Sequence, residues 1–246
     1  MDQDTVDALA PTGVLRAGVN LSNFLLVTGK GAAGEPQGVS PDMAAALAER
    51  LGVGVRYVTF ARPAALADAA GDDVWDVGLI GAEPQRARSI EFSAPYVEIE
   101  ANYLVPAGST LRSADEVDRP GVRIGYARGS AYGLWLERNV AHASLVPCGS
   151  IREAAEHFAA EGLEALAGLR SGLRGDLASL PGARILEPPF TKVQQAIGVR
   201  RGRPAAADFV RAFVEEAKAS GLVASLLERH GVTDRLKVAE VAPARD

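Results

Sequence analysis

The chain has 246 residues, 48% hydrophobic and 23% charged, and 31 acids against 26 bases leave a net charge of −5. That length suits one large α/β domain or two lobes of roughly 100 residues each. Interspersed charges exclude the basic face of a nucleic-acid binder, and no run approaches the roughly 18 consecutive apolar residues of a membrane-spanning helix.

Taken in order, the chain alternates strand and helix. Val14 to Val19 (VLRAGV) reads as a first strand, after a short helical lead-in and a turn at Pro11 and Gly13, and a loop follows from Asn20 to Gln37. Ser40 is expected to cap a helix that has Pro41 at its first position, runs through AAALAER and stops at Gly52. Val53 to Thr59 is read as the second strand, Pro63 to Ala70 as the second helix, and Val74 to Ile80 as a third strand, apolar on both faces. This order implies a parallel sheet with right-handed crossovers.

The third strand stops at Gly81. Beyond it lies a polar turn, Ala82-Glu83-Pro84-Gln85-Arg86, and then Phe92, Ser93, Pro95 and Tyr96 lead into an apolar strand from Val97 to Val105. In open parallel sheets ligands bind outside the carboxyl ends of the strands, which makes this turn a candidate site. Arg86 suits a carboxylate there, because a guanidinium offers a planar fork of donors, keeps its proton and tolerates desolvation better than an ammonium.

After Gly108 the pattern starts again. Ser113 heads a short helix (SADEV), Val122 to Tyr126 is a strand, and Gly129-Ser130 opens a helix to about Arg138. Ser150 and Glu153 form a capping box for SIREAAEHFAA. Leu163 to Ala167 is a short strand, Lys192 to Arg200 an extended apolar one, and two helices close the chain, one after Pro204 and one from Leu222 to Arg229.

The run Arg86-x5-Phe92-Ser93-x-Pro95-Tyr96, with the G-x-x-x-D-[LM] pattern at Gly38 to Met43, resembles the family 3 solute-binding proteins, the amino-acid-binding class of ABC-importer receptors. The resemblance implies an α/β, two-lobed periplasmic-binding-protein-like fold of type II, each lobe a mainly parallel sheet flanked by helices. It places one lobe at residues 1–101 plus 197–246 and an inserted lobe at 102–196, joined by two crossing segments, with a ligand cleft that closes about the hinge. It also implies that Arg86 pairs with a ligand carboxylate, and that Gly129 and Ser130 assist it at a helix start, where backbone N–H groups suit an anion. Ser130 reads equally as a simple N-cap.

Asn23 and Phe24 occupy the loop where the family places an aromatic over the ligand, although Phe24 reads as well as core. Ala82 and Glu83 lie in the turn before Arg86. Gln194 and Gln195 point opposite ways in an extended strand, so only one of them, taken here as Gln194, faces the ligand. Tyr132, one turn into the helix after Ser130, completes the expected ligand set.

Two departures from the family bear on the ligand. The turn before Arg86 is about two residues short and has no threonine, and Leu169 stands where the family's D-A-x-x-x-D pattern ends in the aspartate that pairs with the α-ammonium. A buried ammonium without a counter-charge costs several kcal/mol. Either the ligand lacks the amine or Glu83 takes over as counter-ion; a small carboxylate is favoured, with amino acids open. The partners expected are that ligand and an ABC-transporter permease, with no nucleic acid, no metal, no cofactor, and a monomeric chain.

Other signals are discounted. Gly29-Lys30-Gly31-Ala32-Ala33-Gly34 matches G-x-G-x-x-G, but no helix follows directly, so a hairpin or surface loop is expected. His142, His157 and His230 are scattered and read as surface or helix-end residues. Asp42 reads as structural, Arg128 as solvated, Trp75 and Trp135 as core. Cys148 is alone, which excludes an internal disulfide, and reads as a small semi-buried residue. The alternative function is a cyclohexadienyl-dehydratase-like enzyme, which needs a carboxyl with a raised pKa and leaves Glu83 and Glu164 as candidate acids. A transcription-regulator effector domain has no room before Val14 for a helix-turn-helix. The start MDQDTVDALAPTG has neither the basic nor the apolar region of an export signal. A periplasmic location is therefore expected if a leader has been removed, and a cytoplasmic one if the sequence is the full gene product.

Overall fold

The structure is a computed structural model that describes residues 3–241. The chain forms two compact units. One holds the residues up to Glu98 and from Gln194 onward, the other is Ile99–Val193.

The first unit begins with helix α1 (Gln3–Leu9) and strand β1 (Val14–Asn20). A two-stranded hairpin follows, β2 (Gly29–Lys30) with β3 (Pro36–Gln37). The glycine run at 29–34 is therefore hairpin, as expected. Helix α2 (Val39–Leu51), strand β4 (Gly54–Phe60), helix α3 (Pro63–Asp68) and strand β5 (Val77–Gly81) come next. Both β4 and β5 pair with β1 in parallel, so β1 is central among the three.

Two boundaries differ from the sequence reading. Helix α2 starts at Val39, and Ser40 is not its cap, because the buried Ser40 hydroxyl bonds Tyr96 Oη at 2.8 Å. Gly38 takes the N-cap position with φ 144°, and a Cβ there would stand 2.3 Å from Leu26 O, so only glycine fits. The strand expected from Val74 starts at Val77, because the preceding residues are drawn elsewhere. Trp75 Nε1 donates to Leu66 O at 3.1 Å, and the fully buried Asp76 carboxylate receives Arg16 Nη2 at 2.7 Å and Nε at 3.0 Å.

Beyond β5 a 3₁₀ turn (Arg86–Arg88) leads to strand β6 (Ile90–Phe92). Strand β7 (Val97–Val105) has its first two residues in this unit, where they pair with β13 (Lys237–Val238). Strand β12 (Thr191–Arg200) runs antiparallel to both β5 and β6. Helix α7 (Pro204–Ala219) and helix α8 (Leu222–Arg229) complete the unit. Trp75, Leu66, Ala70, Ile80 and Ile90 form one apolar cluster of its core.

In the second unit the order across the sheet is β7, β10 (Ala165–Leu169), β8 (Arg123–Ala127), β9 (Ser144–Cys148). The short β11 (Arg184–Ile185) lies along β7. β8, β9 and β10 are parallel and β7 is antiparallel to β10. Helices α4 (Ala131–Asn139), α5 (Ile151–Ala160) and α6 (Arg170–Asp176) flank the sheet, and α5 buries Ala154 and Phe158 in a core with Leu104, Leu163, Leu166 and Leu173. Ser150 caps α5 by accepting the Glu153 N–H, but the Glu153 carboxylate returns to Gly149 N at 2.8 Å rather than to Ser150 N. Cys148 is buried in this core.

Candidate functional site

Parallel strands that enter a sheet side by side also leave it side by side. In the first unit β1 and β5 end at Asn20 and Gly81, so residues 21–27 and 82–89 emerge along one carboxyl edge. β12 enters at the same edge, with Gln195 opposite Gly81 and the Ala82 N–H donating to Gln194 O at 2.7 Å. Asn23, Phe24, Ala82, Glu83, Arg86 and Gln194 are thus gathered at one edge of one unit.

Arg86 is 5% exposed. One of its N–H groups, on Nη1, donates to Gly81 O at 2.7 Å. Burial draws the guanidinium pKa down to about 10, while the charges of Glu83 and Asp68 act to raise it. It stays protonated at neutral pH. The turn that carries it is closed by Ala87 N to Glu83 O at 2.9 Å and by Ser89 N to Arg86 O at 3.1 Å. The Phe-Ser-x-Pro-Tyr run downstream works as a fastening. Ser93 Oγ accepts the Ile197 N–H at 3.1 Å, the Tyr96 N–H donates to Gln195 O, and the Tyr96 hydroxyl meets Ser40 on α2.

The other candidates of this unit fall into place around that turn. Phe24 is 41% exposed, which decides against its being core. Asn23 is buried and organises the loop, its Oδ1 accepting from Leu25 N and its carbonyl from Leu26 N and Val27 N. Gln194 is half-buried and donates from Nε2 to Glu98 Oε1 at 3.0 Å, whereas Gln195 is buried. Asp42 acts structurally, as expected, in the first turn of α2, where it holds His230 Nε2 at 2.8 Å and Arg229 Nη1 at 3.1 Å.

In the second unit β8 and β10 are parallel, so Gly129-Ser130 and Leu169-Arg170 leave from one edge. Gly129 has φ 72°, a left-handed turn that glycine adopts without strain. Ser130 is the N-cap of α4: its Oγ accepts the Gly133 N–H at 3.0 Å and donates to Ala127 O at 2.7 Å. The hydroxyl proton is thereby committed to the backbone, and what this corner offers an anion is the backbone N–H groups of the first turn. Tyr132 is only 3% exposed, and burial pushes its phenol up to about 12, so it is a core residue rather than a ligand-facing one. Arg128 is exposed, and Trp135 is half-buried against Phe190, ring centroids 5.2 Å apart.

Glu164 has to be withdrawn as a candidate acid. It precedes β10 and pairs with Arg123 at the start of β8, Nε to Oε2 at 2.9 Å, at the opposite strand ends from Gly129. The Arg123 guanidinium holds the Glu164 carboxyl below the ordinary range, the reverse of what a general acid needs. Sequence reasoning missed Arg170, the residue after Leu169, which pairs with Glu187 and lies 3.7 Å from Glu100. Its signal was a charged residue directly at the carboxyl end of an apolar strand.

The profile of the bacterial extracellular solute-binding proteins, family 3, matches residues 17–233. The chain belongs to that family. No curated protein matches the sequence. Among solved structures, the ancestral amino acid-binding protein AncCDT-1, described as a precursor of cyclohexadienyl dehydratase, aligns with TM-score 0.73 at 20% identity over 92% of this chain and 98% of its own. A mutant of ArgBP from T. maritima gives 0.72 at 19% identity over 92% and 99%. A putative binding component of an ABC transporter from Wolinella succinogenes, complexed with lysine, gives 0.73 at 19% identity over 89% and 95%. The fold is accordingly the two-lobed type II periplasmic-binding-protein fold. Family 3 members are extracellular solute-binding proteins by description, and no described helix of this one is long and apolar enough to cross a membrane.

Proposed function

We propose that this family 3 protein binds a small carboxylate-bearing ligand and serves as the periplasmic receptor of an ABC-type importer or as a related carrier. The observation that carries this reading is Arg86, a buried guanidinium in the turn after β5, at the strand edge where α/β sheets bind ligands. Such a group is costly to bury and finds its best compensation in a two-to-two pairing with a carboxylate. Asn23, Phe24, Ala82, Glu83 and Gln194 would complete the shell on the first lobe, and Gly129 with the first turn of α4 would supply N–H groups from the second.

A thermal-shift screen against amino acids, oxo and hydroxy acids, dicarboxylates and aromatic acids tests it. Hits recovered unchanged are expected, and Arg86→Ala should weaken their binding by roughly 2–5 kcal/mol, with Arg86→Lys only a partial rescue. Unchanged affinity in both variants would remove Arg86 from the site. A hit consumed in the same well would favour the dehydratase-like reading, for which Glu83 is the remaining acid among those the sequence singles out.

A further inference from the structure

A strand at the end of a sheet presents backbone groups that another chain can pair with, and the two end strands of this protein are finished differently. In the second unit the end strand is β9, which carries Pro147. Ser144 N donates to Val122 O at 2.8 Å and Arg128 N to Cys148 O at 2.9 Å, so Ser144, Val146 and Cys148 face β8 and Pro147 faces outward. There the proline removes the N–H that a further strand would need, a common protection of natural edges.

β4, the end strand of the first unit, has no such device. Among the described residues it pairs only with β1, in parallel from Val14 opposite Gly54 to Asn20 opposite Phe60. Its sequence GVRYVTF holds no proline and no lysine, and five of its seven residues are β-branched or aromatic. Leu21 N donates to Phe60 O at 2.9 Å, which sets the alternation. Gly54, Arg56, Val58 and Phe60 turn their backbone groups to β1, while Val55, Tyr57 and Thr59 turn theirs outward. None of these three is buried, and the Tyr57 hydroxyl donates to Pro41 O at 3.1 Å, which holds the ring on the side of α2.

The free edge is complementary to itself. An antiparallel copy centred on Tyr57 sets Val55 against Thr59 of the second copy and Tyr57 against Tyr57, so every outward N–H meets an outward C=O. The neighbouring registers are worse. Centring on Arg56 leaves Thr59 unmatched and sets two arginines directly opposite each other; centring on Val58 leaves Val55 unmatched. With Tyr57 at the centre, Arg56 lies opposite Val58 and no like charges meet.

In place of the monomer expected from the sequence, we propose that a second copy of this chain docks antiparallel on β4, with the two-fold axis at Tyr57. The contact is isologous and closes on itself, so it makes dimers and not fibres.

The test is sedimentation velocity of the purified protein from micromolar to millimolar concentration, together with cysteine cross-linking. The sedimenting species is expected to shift from one chain to two as concentration rises. Thr59→Pro removes an outward N–H and no bond to β1, and should raise the dimer dissociation constant at least tenfold; Val55→Pro, at the other end of the edge, replaces it if that variant does not fold. In the Tyr57 register the two residues at position 57 stand about 5.5 Å apart between Cα atoms, within disulfide reach. The native Cys148 is buried, so Tyr57→Cys should give a covalent dimer on mild oxidation whereas wild type and Arg56→Cys should not. A chain that sediments as a monomer throughout overturns the proposal. So does a dimer that the proline variant leaves intact, or one that cross-links through Arg56→Cys and not through Tyr57→Cys.

Discussion

Ser40 and Tyr96 are 56 positions apart and share a 2.8 Å hydrogen bond away from water. Serine before proline is a sound helix-start signal, yet here the hydroxyl found a better partner than the helix N–H groups, one visible only once α2 and the chain after β6 are packed. Tyr96→Phe leaves the Ser40 hydroxyl buried and unpaired and should cost about 1–3 kcal/mol in urea unfolding, while the double variant with Ser40→Ala should cost less than the two singles summed. Glu83, Phe24 and Tyr132 carry the same lesson for the candidate site. Their residue types were legible, but whether each faces solvent, the strand edge or the core was not, because a loop aromatic, a turn acid and a first-turn tyrosine suit each environment.

Helix α4 begins where the sequence reading put it, because a strand, a left-handed glycine and a capping serine are local signals. Ser130→Ala should therefore lower stability by about 1 kcal/mol, and Ser130→Gly by only a few tenths, in thermal unfolding. Helix α6 was missed: its sequence RSGLRGD holds two glycines and a weak apolar pattern, and Leu173 packing over Gly168 holds it in place instead. β9 was missed for a related reason, since Pro147 interrupts SLVPC, and a strand with one partner tolerates a residue that cannot donate. Asp176, at the end of α6, is half-buried and its carboxyl is raised by burial alone. A raised folded pKa means that ionisation opposes folding, so its contribution is most favourable below the unfolded pKa and is lost as pH rises. Asp176→Asn should raise the melting temperature at pH 7 and leave it nearly unchanged at pH 3.

Across the whole molecule the perturbed carboxylates lean the other way. Asp73 beside Arg16 and Arg200, Asp118 under the N–H groups of 141–143, Glu164 beside Arg123 and Glu187 beside Arg170 are all held below the usual carboxylate range. A depressed folded pKa gives stability that is complete above the unfolded value and disappears as pH falls through the folded one. The melting temperature should thus be flat from about pH 8 to pH 5 and fall steeply below about pH 4, with a shallower fall in Glu164→Gln. These pairs are mostly solvent-facing, so each contributes modestly and the slope reports their sum. A steep loss above pH 6 would be inconsistent with this account.

The sequence by itself determined the opening order β1, α2, β4, α3, β5, the parallel pairing around β1, the spacing from Arg86 to Phe92 and, through it, the family. Apolar periodicity, caps and motif spacing act over a few residues and survive without knowledge of neighbours. Only the tertiary structure decided that Glu164 lies at the amino ends of its strands, that Tyr132 is core, that Asp42 meets His230, and that Glu83 shares a buried turn with Arg86. Those outcomes depend on which groups packing brings within hydrogen-bonding distance or removes from water, and such partners come from segments far apart in the chain.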